Sequence, residues 1–142
     1  MYNSGKVCLS LLGTWGGQEG EKWNTKTSTF LQVMVSIQSL ILIEEPYFNE
    51  PGWERQMNTD LGKSKSREYS ESKQPHTINL AMINMIKFPP AGFEDVIQNH
   101  FRMKKEEIIN RTHIWEQNAI SSTNKNLIIN YRKELIELLE NY

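Results

Sequence analysis

The sequence predicts an α+β chain with a short extended start followed by mostly helix. Three observations carry that reading. A tight apolar run spans Lys6 to Leu12 between Gly5 and Gly13, apolar residues from Phe30 onward recur mostly at helical spacing, and prolines fall where helices start or stop.

The first run fits either a buried strand or an extended segment leading into a turn. Gly13 to Thr27 holds Gly16, Gly17 and Gly20 with Trp15 and Trp23, and reads as a loop with buried aromatic anchors. From Ser28 to Ile43 the residues Phe30, Leu31, Val33, Met34, Ile37, Leu40 and Ile41 predict a central core helix with Ser28 as its N-cap. Pro46 places its end near Glu45, because a proline disfavours helical geometry in the residue before it.

Glu44 to Thr77 is polar and reads as a long, ordered or half-ordered connection. Pro75 suits the first turn of a second helix that runs through Ile78, Ile83 and Ile86 to Pro89 and Pro90. A long third helix is marked by Phe93, Ile97, Phe101, Ile108 and Trp115, and a terminal one by Leu127, Ile128, Tyr131, Leu135 and Leu139. The terminal apolar stripe suits core or helix pairing better than a cofactor site.

With 142 residues, 38% apolar and 23% charged, the chain is of a size to bury one core. A net charge of -1 with dispersed basic residues argues against a nucleic-acid or membrane footprint. The longest apolar stretch, Val33 to Ile43, is interrupted and too short to span a bilayer. A single cysteine and no apolar leader point to a reduced, cytoplasmic setting. Cys8, His76, His100 and His113 lack metal-ligand spacing and form no hydrolase motif, so neither metal nor cofactor is expected.

A lone cysteine is most often a buried structural thiol. Here, however, Gly5-Lys6-Val7-Cys8-Leu9-Ser10-Leu11-Leu12, Glu21-Lys22-Trp23-Asn24, Phe30-Leu31-Gln32-Val33, Ser36 to Leu42 and Glu45-Pro46-Tyr47-Phe48-Asn49-Glu50-Pro51-Gly52 stand in one order. That order resembles the active-site segment of the ubiquitin-conjugating enzymes. The Tyr47 to Gly52 block and Ser66-Arg67-Glu68-Tyr69 resemble the large members of that family in particular.

The resemblance implies that Cys8 is the carrier of ubiquitin as a thioester, for transfer to a substrate lysine or to a ligase. It implies ubiquitin, its activating enzyme, a ligase and protein substrates as partners. Glu50 matches the position that orients and deprotonates the incoming lysine, and Asn49 is its weaker neighbour. Read from the residues alone, Glu50 is equally a solvated loop charge. Asn24-Thr25-Lys26-Thr27 stands where the family has a Ser-Pro-Ala ligase contact, so no ligase preference carries over.

By family spacing, an N-terminal helix, a strand meander and a His-Pro-Asn motif fall upstream of Met1. Residues 1–120 are therefore expected to form the C-terminal part of the family's α+β fold, with 121–142 as a helical extension that matches no family block. A central helix without the meander would expose an apolar patch. The alternative to an enzyme is a non-catalytic relative that binds ubiquitin or a partner through its helices.

Overall fold

Thr29, one residue past the expected cap, opens the first helix of the computed structural model, α1 (Phe30–Leu40). Its hydroxyl accepts from the Gln32 N–H at 3.3 Å, and the Gln32 side chain accepts from the Thr29 N–H at 2.8 Å, a reciprocal capping box. Ser28 does not serve as the cap because its hydroxyl already accepts the Asn24 N–H at 2.9 Å. The structure describes residues 6–50 and 52–141; Gly5 and Pro51, both used in the sequence reading, lie outside them.

The chain divides into two units, Met1–Ser66 and Arg67–Tyr142. In the first, Lys6 to Leu9 has no regular secondary structure, and Leu9 is extended with φ -150° and ψ 131°. A 3-10 turn follows at Ser10–Leu12, closed by Gly13 at φ 67°. The described residues contain no strand, so of the two readings of this run the extended lead into a turn is the one realised. A strand exists only where a second one completes its hydrogen-bond ladder.

α1 is shorter and less buried than expected. It ends at Leu40 rather than near Glu45. Only Val33 is buried along it, while Phe30 is 74% and Leu31 70% exposed, so within its unit it is no core helix. This is the exposed patch that a helix without a covering layer must show. Trp15 and Trp23, expected as buried anchors, are 42% and 46% exposed, because no second layer closes over their loop within the unit. The unit's aromatic packing lies elsewhere. The turn Pro46–Asn49 buries Tyr47 and Phe48, and Tyr47 meets Phe48 edge-on at 5.3 Å and Trp53 at 4.2 Å.

The polar stretch read as a connection is largely helix. After a 3-10 turn at Glu54–Gln56, α2 (Asp60–His76) starts behind Thr59, whose hydroxyl accepts the Gly62 N–H at 3.0 Å. Lysine, arginine, glutamate and glutamine hold helical geometry well without any apolar stripe, so periodicity could not reveal it. Ser66 is buried on it and donates to the Glu45 carboxylate at 3.3 Å.

In the second unit, Pro75 lies inside α2 rather than in the first turn of a new helix. It is followed by a π-helical segment, Thr77–Ile83, and by α3 (Asn84–Lys87). Proline removes a donor from the ladder, and a local change of hydrogen-bond register lets the helix continue past it. The Thr77 hydroxyl donates to the Lys73 carbonyl at 3.0 Å beside this break. α4 (Glu94–Asn118) and α5 (Ser122–Leu139) occupy the stretches expected of them, α5 behind Ser121 as N-cap. Ile78, Ile83, Phe101, Ile128, Leu135 and Leu139 form one buried cluster. The terminal stripe is thus core, as its spacing predicts.

Candidate functional site around Cys8

Cys8 is a free, half-buried thiol in the extended segment between Lys6 and the Ser10–Leu12 turn. Buried Leu9 anchors the segment beside it. The turn is closed by the Leu12 and Gly13 amides, which donate to the carbonyls of Leu9 at 3.0 Å and Ser10 at 2.9 Å. Gly13 adopts the left-handed conformation that such a closure needs and that glycine reaches without strain.

Thr14, placed next by this turn, reaches back over the thiol-bearing residue. Its hydroxyl accepts the Leu9 N–H at 3.1 Å and donates to the Val7 carbonyl at 2.5 Å, with the Leu9 carbonyl farther off at 3.3 Å. The sequence reading passed over Thr14. The one signal for it is general: a Ser or Thr just after a turn glycine can return a hydrogen bond to the backbone before the turn.

Asn49 and Glu50 stand at the end of the Pro46–Asn49 turn. The Asn49 side-chain amide donates to the Leu40 carbonyl, one of the carbonyls α1 leaves without an intrahelical partner. Asn49 thereby ties the turn to the end of α1. Glu50 follows in an extended conformation with φ -77° and ψ 135°, exposed to solvent, and its carbonyl accepts the Trp53 N–H at 3.2 Å. No hydrogen bond or ion pair joins Cys8 to Asn49 or Glu50. All three belong to the first unit.

The three histidines all belong to the second unit. His76 and His100 are exposed on helices of the second unit, and His113 meets Gln117 at 2.9 Å through Nε2. Among the described residues no group of His, Cys, Asp or Glu could hold a metal ion. No helix there is long and apolar enough to cross a membrane.

The chemistry available within the first unit is that of a half-buried thiol and, on a separate turn, a solvent-facing carboxylate. The same chain has close relatives. It is 51% identical over 115 residues, 81% of its length, to the dual E2 ubiquitin-conjugating enzyme/E3 ubiquitin-protein ligase BIRC6 of Homo sapiens. It is 47% identical over 140 residues, 99% of its length, to a probable ubiquitin-conjugating enzyme of Acanthamoeba polyphaga mimivirus. A probable ubiquitin-conjugating enzyme of Arabidopsis thaliana matches at 46% over 119 residues, 84% of the chain. The chain matches no protein-family model.

The chain is thus a homologue of the E2 ubiquitin-conjugating enzymes. Within them it is similar to the large enzymes that include BIRC6. It spans only 2%, 10% and 22% of the lengths of the three relatives described. The viral alignment also reaches into the stretch after residue 121, where the sequence reading found no family block.

Proposed function

We propose that Cys8 carries ubiquitin as a thioester and that the chain is the conjugating segment of an E2 enzyme. In the loading step, the Cys8 thiolate attacks the carbonyl carbon of the thioester joining ubiquitin to its activating enzyme. A new Cys8 Sγ–C bond forms, the old S–C bond breaks, and the activating enzyme's thiolate leaves. In the transfer step, a lysine amine attacks the Cys8 thioester carbonyl, an isopeptide bond forms, and Cys8 leaves as thiolate. Transfer to a ligase exchanges one thioester for another. Thiol chemistry suits this role because it divides one difficult acyl transfer into two easier ones.

Glu50 is assigned the proton of the attacking lysine ammonium, which it attracts and accepts or directs. Asn49 holds the turn that presents Glu50, through its bond to the Leu40 carbonyl. Residues 1–120 form part of an α+β E2 core and 121–142 its helical extension. Ubiquitin, its activating enzyme, a ligase and protein substrates are the partners, and the cytoplasm the setting.

The observation that carries this reading is Cys8 itself, the chain's sole cysteine, unpaired and partly accessible in a chain whose homologues are named conjugating enzymes. Incubating the chain with activating enzyme, ATP and ubiquitin tests it. A thiol-sensitive ubiquitin adduct that disappears in Cys8→Ser is expected. An adduct that survives the substitution, or none on the folded chain, overturns the carrier role and leaves a non-catalytic binding module.

A further inference from the structure

One hydroxyl contacts the peptide units on both sides of Cys8. The Val7 carbonyl belongs to the peptide bond that enters Cys8, and the Leu9 N–H to the one that leaves it. Thr14 donates to the first at 2.5 Å and accepts from the second at 3.1 Å. Both distances lie in the ordinary range for hydrogen bonds of their kind. With both flanking peptide planes held by one atom, φ and ψ of Cys8 lose their freedom, and with them the direction of its Cα–Cβ bond. Other bonds set the base of the clamp, since Leu9 is buried and its carbonyl accepts the Leu12 and Thr14 amides at 3.0 and 3.3 Å.

We propose that Thr14 is a positioning residue for Cys8, aiming the thiol for acyl transfer without touching the reacting atoms. This rests on the carrier reading above. Acyl transfer between two proteins is sensitive to aim, because displacing a reacting atom by about 1 Å can lower a rate about 10²-fold. Thr14 is exposed, so water can satisfy the two freed backbone groups when the hydroxyl is lost. The consequence should therefore fall on orientation more than on folding. Valine is the informative replacement, since it keeps the branched shape and removes only the hydroxyl.

The test is single-turnover loading of the full 142-residue chain over a range of ubiquitin-charged activating enzyme, comparing wild type, Thr14→Val and Thr14→Ser. The expected result for Thr14→Val is a maximal loading rate lower by about tenfold, with half-saturation unchanged, native far-UV dichroism, and Cys8 alkylation by iodoacetamide within about twofold of wild type. Thr14→Ser, which keeps the hydroxyl, restores the rate. Equal maximal rates in Thr14→Val and wild type overturn the positioning role alone. So does a change confined to half-saturation, a Thr14→Ser as slow as Thr14→Val, or a Thr14→Val chain that does not fold. Absence of loading on the wild-type chain overturns the carrier reading, and the positioning role falls with it.

Discussion

The Glu71 carboxylate accepts the backbone N–H of Ser121 at 2.7 Å, and the same oxygen takes the N–H of Ile120 at 3.1 Å. Glu71 lies on α2 and is buried, and Ser121 caps α5. A buried acidic side chain thus anchors the α4–α5 junction from 50 residues away in sequence. Glu71→Ala should destabilise the chain by about 1.5–3 kcal/mol, the usual worth of hydrogen bonds made to a charged group. Glu71→Gln, which keeps one carbonyl oxygen, should cost less. Urea denaturation of the three chains checks the order, and a Glu71→Ala midpoint equal to wild type refutes it.

Gly62→Ala sets two effects against each other. Alanine favours a helix interior by about 1 kcal/mol over glycine. A Cβ at Gly62, however, would lie 2.0 Å from the Gln56 carbonyl oxygen and 2.7 Å from its carbon. That carbonyl cannot readily move, since the Thr59 N–H and hydroxyl both donate to it, at 2.9 and 2.8 Å. Overpacking against backbone costs about 1–3 kcal/mol, so the clash should win and the substitution should lower the melting temperature. A rise in melting temperature would place the first turn of α2 differently.

Glu107 supplies a pH prediction. The hydrogen bond from Lys104, 2.7 Å long, and then the Lys104 charge hold its carboxyl below the ordinary value of 4.5, against a smaller opposition from desolvation and with still smaller help from Arg111 and His100. A carboxyl depressed in the folded state contributes stability above its ordinary value, and loses it as pH falls through the folded one. The contribution sits on an exposed helix face and should weaken in salt. Lys104→Met should raise the Glu107 midpoint towards 4.5 in an NMR titration, and an unmoved midpoint contradicts the pairing.

Glu50→Gln separates the two steps of the proposed reaction. It keeps shape and polarity but cannot accept the lysine proton. Loading of Cys8 should persist, while discharge of ubiquitin to free lysine should slow by about 10²-fold, the usual scale for a positioned general base. Unchanged discharge would return Glu50 to a solvated loop charge.

Helices with apolar stripes were the legible part of this fold. Ile128, Leu135 and Leu139 recur at helical spacing because one face of α5 meets the core, and their burial follows the spacing. α2 was not legible, because its stability comes from polar residues and the Thr59 cap rather than from an apolar face. Pro75 misled for a related reason. Its local preference is a helix start, but burial of Pro75 and Ile78 favours passage through it. Trp15 and Trp23 misled in the opposite sense, since large aromatic residues invite burial that nothing in their unit supplies.

The candidate site divides the same way. Order and residue type along the chain sufficed to single out Cys8, Asn49 and Glu50, because a family's motifs survive as local strings. The hydroxyl of Thr14 across both peptide bonds of Cys8, the Asn49 amide on the end of α1, and Glu71 at Ser121 arose only in three dimensions. Sequence by itself determined the family, the candidate thiol and the apolar periods, which are properties of neighbouring residues. Tertiary structure alone decided which polar groups pair, since each unsatisfied donor or acceptor takes the partner that folding brings within about 3 Å of it, whatever their separation along the chain.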